Sequence, residues 1–337
     1  MTEERLRALQ YGILAPGPQA LLAARFELVE HDPSSSDRAE FVELLSAADA
    51  LIGPGLTLSA AELDAATRLR AIALVAVGVD GFDLDDLGRR GIALMNTPEV
   101  LTEAVADLAF GLILAVSRRI AEFAAYVRAR QWRARIAPAQ YGRDVNSKTL
   151  GIVGMGRIGH AIARRAAAGF AMKVIYASTS VAPDAEHAFG AQRRTLDELL
   201  TQADIVCLTV PLSAATVALI GARELSLMRP SAVLVNVSRG AVVDEQALIA
   251  ALAAGQIAGA GLDVYEREPL DADSPLLGFD NVVALPHIGS ATTETREAMA
   301  RCAVENLLSY FDGAPTNVAN LAELAAGGAG QPSAARH

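Results

Sequence analysis

The chain has 337 residues, 52% of them hydrophobic and 20% charged, which suits two packed α/β domains and excludes a disordered protein. Its 29 basic against 39 acidic residues argue against nucleic acid as a partner. The start, MTEERLRAL, lacks an apolar signal core, and no apolar run approaches the roughly 20 residues of a membrane helix. Cys207 and Cys302 are far apart and read as buried thiols; with no Cys/His cluster, no metal site is expected. Cytoplasmic residence, away from membranes, is the expectation.

In chain order, residues 11–14 read as a strand, 19–25 as a helix, 26–29 as a strand, 41–47 as a helix and 50–52 as a strand. Residues 59–67 form a helix with Ser59 as its N-cap. Residues 71–77 are a continuous apolar run, the mark of a central parallel strand. The run ends in Gly78-Val79-Asp80-Gly81, at the carboxyl end where open α/β sheets bind ligands. A strand at 92–95 is closed by Asn96-Thr97-Pro98.

From 101 to about 131 the spacing predicts one long helix, since Val105, Leu108, Ala109, Leu112, Ile113, Val116 and Ile120 follow an apolar stripe. A helix of that length is expected to bridge two domains. Residues 137–147 are a polar linker. The arginine pairs Arg89-Arg90, Arg118-Arg119, Arg164-Arg165 and Arg193-Arg194 are scattered and expected on solvated helix faces.

The linker leads into TLGIVGMGRIGHAIARRAAAGFAMKVIYASTS, residues 149–180, the centre of the sequence. An apolar strand runs into Gly154-x-Gly156-x-x-Gly159, a helix-compatible run and a second strand at 172–176, the order of a dinucleotide-binding unit. Gly154 permits a tight turn, Gly156 lets backbone approach a pyrophosphate, and Gly159 lets helix pack on strand. The helix N-terminus then offers N–H donors and a positive dipole end to the phosphates.

Further βα signals follow, with strands at 203–210, 232–237, 259–264 and 282–285, a helix capped by Asp244 that stops near Gly255, and a helix over 292–311. The Ala/Gly-rich residues 323–337 are expected to be a frayed, disordered tail.

Three polar groups stand at the ends of buried strands: Arg239, Glu268 and His287. Arginine holds a carboxylate by two hydrogen bonds, histidine moves a proton near neutral pH, and a carboxylate beside the imidazole raises its pKa and fixes its tautomer. Together they meet the needs of 2-oxo-acid reduction. Each also has a bland reading, as a surface ion-pair partner or a loop residue, but their conjunction on a dinucleotide scaffold favours chemistry. His160 on a helix face and His187 in a polar loop read as structural.

GIVGMGRIG (151–159), NVSRGAVVDEQAL (236–248), GLDVYEREP (261–269) and LPHIGSAT (285–292), in this order, resemble the D-isomer-specific 2-hydroxyacid dehydrogenases, over residues 10 to 320. NTPEVLTEAVADLAFGLILAVSRR (96–119) is similar to the glyoxylate/hydroxypyruvate reductases. YGRDVNSKTLGIVGMGRIG (141–159) and SPLLGFDNVVALPHIGSAT (274–292) are most similar to the bacterial 2-ketogluconate reductase branch. The resemblance implies an α/β fold of two lobes. A Rossmann cofactor domain, residues 99–290, is inserted into a flavodoxin-like substrate domain, residues 1–98 and 291–322.

By the same resemblance, Arg239 holds the substrate carboxylate and carbonyl, His287 is the acid/base, and Glu268 is its partner. Backbone around Val77 and Gly78 binds the carboxylate too. Cofactor contacts are implied at Arg157 and Ile158, at Val210, Pro211 and Thr216, at Val237, Ser238 and Arg239, at Asp263 near the nicotinamide amide, and at His287 and Gly289. The implied reaction is reduction of glyoxylate, hydroxypyruvate or 2-ketogluconate to the D-2-hydroxy acid. A homodimer is implied, in which Trp132 either reaches the neighbouring subunit's site or simply packs.

Cofactor choice turns on the residue that ends the second strand of the dinucleotide unit, an Asp in NAD-specific members. Here that residue is Ser178, followed by Thr179 and Ser180, so NADPH is favoured and NADH possible. The similar branch carries arginines where Thr179 and Ser180 stand. Hydroxyls donate hydrogen bonds without bringing charge, so reduced discrimination is expected. The rival readings are another dehydrogenase on this scaffold (phosphoglycerate, formate or phosphite) and a dinucleotide-sensing corepressor.

Overall fold

The structure is a computed structural model and describes residues 5–34 and 37–328. The described residues fall into two compact units, one holding those up to Leu101 and from Ala291 onward, the other Thr102–Ser290.

The first unit is a five-stranded sheet of β1 (Arg7–Tyr11), β2 (Glu27–His31), β3 (Ala50–Gly53), β4 (Ala71–Leu74) and β5 (Ala93–Met95). All pairings are parallel, in the order β2-β1-β3-β4-β5, the flavodoxin-like arrangement. Every residue of β3 and β4 is buried. Successive side chains enter opposite layers, as a period of two requires. Ala8, Ile52 and Ala73 join Leu22, Met299 and Leu307 on one face; Leu9, Leu51 and Ile72 join Phe41, Leu45 and Leu87 on the other. Ser59 caps the helix Ala60–Ala65 in a capping box with Glu62.

The second unit has seven strands: β6 (Thr149–Val153), β7 (Lys173–Ala177), β8 (Gln192–Arg193), β9 (Ile205–Leu208), β10 (Val233–Asn236), β11 (Gly259–Leu262) and β12 (Val282–Ala284). They too are parallel, in the order β12-β11-β10-β9-β6-β7-β8. Counted from β6 this is the 3-2-1-4-5-6 Rossmann order with one strand added. The chain reverses direction of growth between β6 and β9, the switch point where such sheets take ligands. The small residue Gly261 lets the helix Thr102–Ser117 approach: a Cβ there would meet Leu112 Cβ at 3.0 Å.

Several expectations need correction. The first strand is 7–11, not 11–14: Gly12 turns away at φ +82°, its N–H bonded to His31 O at 3.0 Å, and Ile13 is 94% exposed. The single helix expected over 101–131 to link two domains is two, Thr102–Ser117 and Ile120–Arg128, both inside the second unit. The Ser117 carbonyl accepts from Arg143 N at 2.7 Å, and Arg119 takes a left-handed φ of 55°. Residues 323–328 are not frayed but belong to the helix Leu321–Gly328. Asn320 anchors it, its side chain bonded to Leu94 N and Ile92 O at 2.9 Å each, while Gly88 gives the helix room: a Cβ there would come within 2.7 Å of Glu323. The rest of that expected tail, 329–337, lies outside the described residues.

Of the arginine pairs, Arg193 is in strand β8 and Arg118-Arg119 lies at the helix break; Arg89-Arg90 and Arg164-Arg165 are on helices. Cys207 is fully buried and burial pushes its thiol up to about 12, whereas Cys302 is half-buried. Among the described residues, no helix is long and apolar enough to cross a membrane.

Candidate active site

The glycine turn after β6 has three separate geometries. Gly154 takes φ +98°, and a Cβ there would sit 2.9 Å from Val210 Cγ1. A Cβ on Gly159 would lie 2.2 Å from Gly154 O, so this glycine sets how closely the helix Arg157–Phe170 meets the turn. Around Gly156, apart from its chain neighbours, no described atom lies within 4 Å of a Cβ position, and that helix has no side-chain cap among the described residues. A helix start of this kind carries the positive end of the helix dipole, the general basis of anion binding at helix N-termini. The neighbouring strand β9 continues into Val210 and Pro211. Thr216 closes the loop that follows, its hydroxyl donating to Pro211 O at 2.7 Å and accepting from Ser213 N at 2.8 Å.

The ends of β10, β11 and β12 bring four polar side chains together. After β10, Asn236 braces the turn: its amide donates to Arg239 O at 2.9 Å, and its carbonyl accepts from Ser238 N at 3.0 Å and Ser238 Oγ at 2.7 Å. Arg239 Nη1 donates to Ser238 O at 2.8 Å. The next residue must be glycine, because a Cβ on Gly240 would overlap the Tyr265 carbonyl carbon at 1.7 Å. This close approach seats the Arg239 turn against the segment that carries Glu268. Glu268 Oε1 accepts from Tyr265 N at 3.0 Å, and Tyr265 donates its hydroxyl to Leu285 O at 2.9 Å, joining the segment to the strand leading to His287.

His287 Nδ1 lies 2.7 Å from Glu268 Oε2. With Nδ1–H donated to that carboxylate, Nε2 is the nitrogen that exchanges a proton. His287 itself holds a left-handed φ of 53°. Asp263, buried at the end of β11, clamps the backbone just beyond it: Oδ1 accepts from Ile288 N at 2.7 Å and Oδ2 from Gly289 N at 2.8 Å. Sequence reasoning placed Asp263 near a nicotinamide. In the structure both its oxygens also hold the backbone of the histidine loop, each by one donor.

The charges are tuned accordingly. The bond from Glu268 raises the His287 pKa above the ordinary 6.5, against the opposing effects of burial and the Arg239 charge. Burial alone would raise Glu268, but the His287 and Tyr265 bonds and the Arg239 charge leave it below 4.5. Asp263 is raised by burial, offset in part by its two backbone donors. A proton donor held by a carboxylate, next to a guanidinium, can bind a carboxylate substrate and protonate a developing alkoxide.

Ser178 follows β7, half-buried, with Thr179 and Ser180 exposed beyond it. Sequence reasoning missed their neighbour. Arg193 Nη2 donates to Ser178 O at 2.9 Å and Thr179 O at 3.0 Å, brought there because β8 pairs with β7. Val77 and Gly78 stand in the first unit, just past Leu74 at the end of β4, with Val77 O accepting from Asn96 Nδ2 at 2.7 Å. Trp132 is 65% exposed. His160 lies against Phe189, ring centroids 5.0 Å apart, and His187 is helical rather than in a loop.

Residues 110–289 match the sequence model of a family described as D-isomer specific 2-hydroxyacid dehydrogenase, NAD binding domain. A glyoxylate/hydroxypyruvate reductase B of Yersinia enterocolitica is 50% identical over 283 residues, 84% of this chain and 87% of its own length. Among solved structures, the TT0316 protein of Thermus thermophilus superposes with a TM-score of 0.87 at 41% identity, over 93% of this chain and 100% of that one. An NADPH-dependent glyoxylate/hydroxypyruvate reductase of Sinorhizobium meliloti, solved with NADP and malonate, gives 0.81 at 35% identity, over 94% and 98%.

Proposed function

The chain belongs to the D-isomer-specific 2-hydroxyacid dehydrogenase family, and on that premise we propose that it reduces glyoxylate or hydroxypyruvate, with NADPH as the preferred donor. 2-Ketogluconate is a third candidate substrate, and the product is the D-2-hydroxy acid. The observation that carries the reading is the 2.7 Å bond between His287 and Glu268, within the field of Arg239. The second unit is the cofactor domain in this reading and the first the substrate domain.

When bound, the reduced nicotinamide supplies the hydride. The chain's residues do the rest. Arg239 binds the substrate carboxylate and polarises the 2-carbonyl through its planar fork of donors. His287 delivers the Nε2 proton to the carbonyl oxygen as negative charge develops there. Glu268 keeps Nδ1 protonated and stabilises the imidazolium before transfer. Asp263 holds the loop that aims the ring. The helix start at Arg157 and Ile158 receives the pyrophosphate, with Gly156 leaving space. Val210, Pro211, Thr216, Val237, Ser238 and Gly289 complete the cofactor assignment, and backbone at Val77 and Gly78 is our candidate for further donors to the substrate carboxylate.

We assign the protein to the cytoplasm as a homodimer. The helix Ile120–Arg128 supports the dimer, since all its residues keep some exposure, Ile120 at 52% and Val127 at 51%, with Trp132 close in sequence. Light scattering of the purified chain tests this, and a monomeric mass would remove it. The activity is tested by initial rates of NADPH and NADH oxidation with hydroxypyruvate, glyoxylate and 2-ketogluconate. Turnover of the first two with NADPH is expected. Preference for NADH would overturn the cofactor half alone; no turnover with either cofactor would overturn the whole reading.

A further inference from the structure

We propose that Arg193 and Arg194 are this chain's 2′-phosphate binding groups, so that the edge strand β8 supplies the positive charge that the turn after β7 lacks. The inference rests on the NADPH reading and names the residues that would carry it.

The sequence of the turn, Ser178-Thr179-Ser180, brings hydroxyls and no charge. The fold brings the charge from elsewhere. Tyr176 of β7 pairs with Arg193, and Arg194 N donates to Tyr176 O at 2.8 Å. An open groove of about 480 Å³ lies at this corner, lined by Ala177 and Ser178 from the end of β7 and by Arg193, Arg194, Thr195, Leu196 and Glu198. In a sheet of this order the group that reads the ribose 2′ position stands at the end of the strand after the glycine turn, which here is β7. A 2′-phosphate would therefore meet a pocket lined by two arginines, of which Arg194 also donates from Nη1 to Arg193 O at 2.8 Å and from Nη2 to Gln192 Oε1.

Both bonds of Arg193 to the turn come from Nη2, one of its three nitrogens, so bracing Ser178 and Thr179 takes part of a five-donor fork. A phosphate monoester carries about two negative charges at neutral pH, and arginine meets it with paired, charge-assisted bonds. A 2′-hydroxyl gains little from the same groups. Glu198 tempers the preference. Its carboxylate accepts from Thr195 N at 2.9 Å and Thr195 Oγ1 at 3.0 Å, and the backbone bond above all keeps it ionised. It leaves the corner with one net positive charge from its three ionised side chains.

The test is binding to the full chain without substrate, read by nicotinamide fluorescence for NADPH and NADH and by calorimetry for 2′,5′-ADP and 5′-AMP. Arg193→Gln is expected to weaken NADPH and 2′,5′-ADP by about tenfold to a hundredfold, with NADH and 5′-AMP changed less than about twofold. Arg194→Gln should show the same selectivity with a smaller loss. Glu198→Gln keeps the capping acceptor, removes the opposing charge, and should tighten NADPH about two- to fivefold without moving NADH. Arg193→Lys, which retains charge, should recover part of the NADPH loss. Equal weakening of phosphorylated and unphosphorylated ligands in Arg193→Gln would make the residue a brace for the turn and overturn the proposal. So would unchanged NADPH affinity in both arginine variants while the unsubstituted chain still prefers 2′,5′-ADP. If the unsubstituted chain binds 2′,5′-ADP no better than 5′-AMP, the NADPH reading itself falls, and the proposal with it.

Discussion

In both units the first strand runs into a left-handed glycine, Gly12 at φ +82° and Gly154 at φ +98°, and then into a helix with no side-chain cap among the described residues. There the two crossovers part. The helix Pro16–Arg25 begins Pro-Gly-Pro, so two of its first three residues have no N–H to offer. Gly12 faces proline rings, with a Cβ position 3.4 Å from Pro54 and 3.6 Å from Pro33. The helix Arg157–Phe170 begins Arg-Ile-Gly with every donor present, and Gly156 before it faces open space. Parallel sheets of related order thus carry an open glycine turn in one case and a turn packed by prolines in the other. The topology supplies the position; the residues decide whether anything can bind there.

The second unit's side of this contrast breaks most severely at its strand ends. Replacing His287 with Ala removes the proposed proton donor and should lower kcat by about 10²- to 10⁴-fold, with the NADPH dissociation constant almost unmoved. A matching loss of cofactor affinity would show that the residue holds the site together rather than working as acid and base. Next in size is Gly156→Val. Its φ of −80° suits any residue and its Cβ position meets nothing beyond its chain neighbours, so stability should stay within about 0.5 kcal/mol. Affinity for both NADPH and NADH should nevertheless fall about tenfold or more, because the side chain fills the phosphate's space. Gly154→Ala should do the reverse and cost about 1–3 kcal/mol of stability through its positive φ. Fluorescence titration and thermal unfolding on the same samples separate the two.

A third change sharpens the electrostatics. In Glu268→Gln the largest cause raising the His287 pKa is gone, so the pH above which reduction slows should move down. The loss of rate should then be greater at pH 8 than at pH 6; a parallel loss at all pH values would detach Glu268 from the proton. Stability follows a window of its own. The raised His287 stabilises the fold below its ordinary 6.5, an effect lost as pH rises through the raised value. The lowered Glu268 stabilises it above its ordinary 4.5, lost as pH falls through the lowered value. The pair therefore contributes most between these limits. The contribution is modest, since the two side chains are 49% and 35% exposed.

What could be read in the sequence, and what could not, follows the same division between local and distant causes. The glycine turn was legible because its requirements are set within six consecutive residues. Most strands of the two sheets were legible from their buried apolar runs, but the first was placed at 11–14 instead of 7–11 and β8 was not seen. The alignment of Arg239, Glu268 and His287 with strand ends was legible once those runs were placed. Arg193 was not, since it reaches Ser178 only through the pairing of β8 with β7, and a short strand of Gln and Arg has no hydrophobic signature. The break between Ser117 and Ile120 was hidden for a similar reason: the apolar stripe runs on, and a backbone bond from Arg143 ends the helix. The helix Leu321–Gly328 owes its place to Asn320, whose partners Ile92 and Leu94 are more than 200 residues away in sequence.

The smallest expected effect closes the comparison from the first unit's side. Pro16 is exposed and sits at the first helical position, where its ring fixes φ and no intrahelical N–H is needed. Pro16→Ala restores an N–H donor at a helix start, which is what the dinucleotide turn of the second unit displays. If the N–H alone made the site, this variant would gain affinity for phosphate. We expect none, because Gly12 remains enclosed by Pro33 and Pro54, and Pro18 still lacks its donor. What should change is folding: the unfolded chain gains freedom at residue 16, and stability should fall by about 0.4–1 kcal/mol. Calorimetry with inorganic phosphate and thermal unfolding read the two quantities. New phosphate binding without loss of stability would mean that the prolines, rather than the closed turn around them, keep anions away from the first unit.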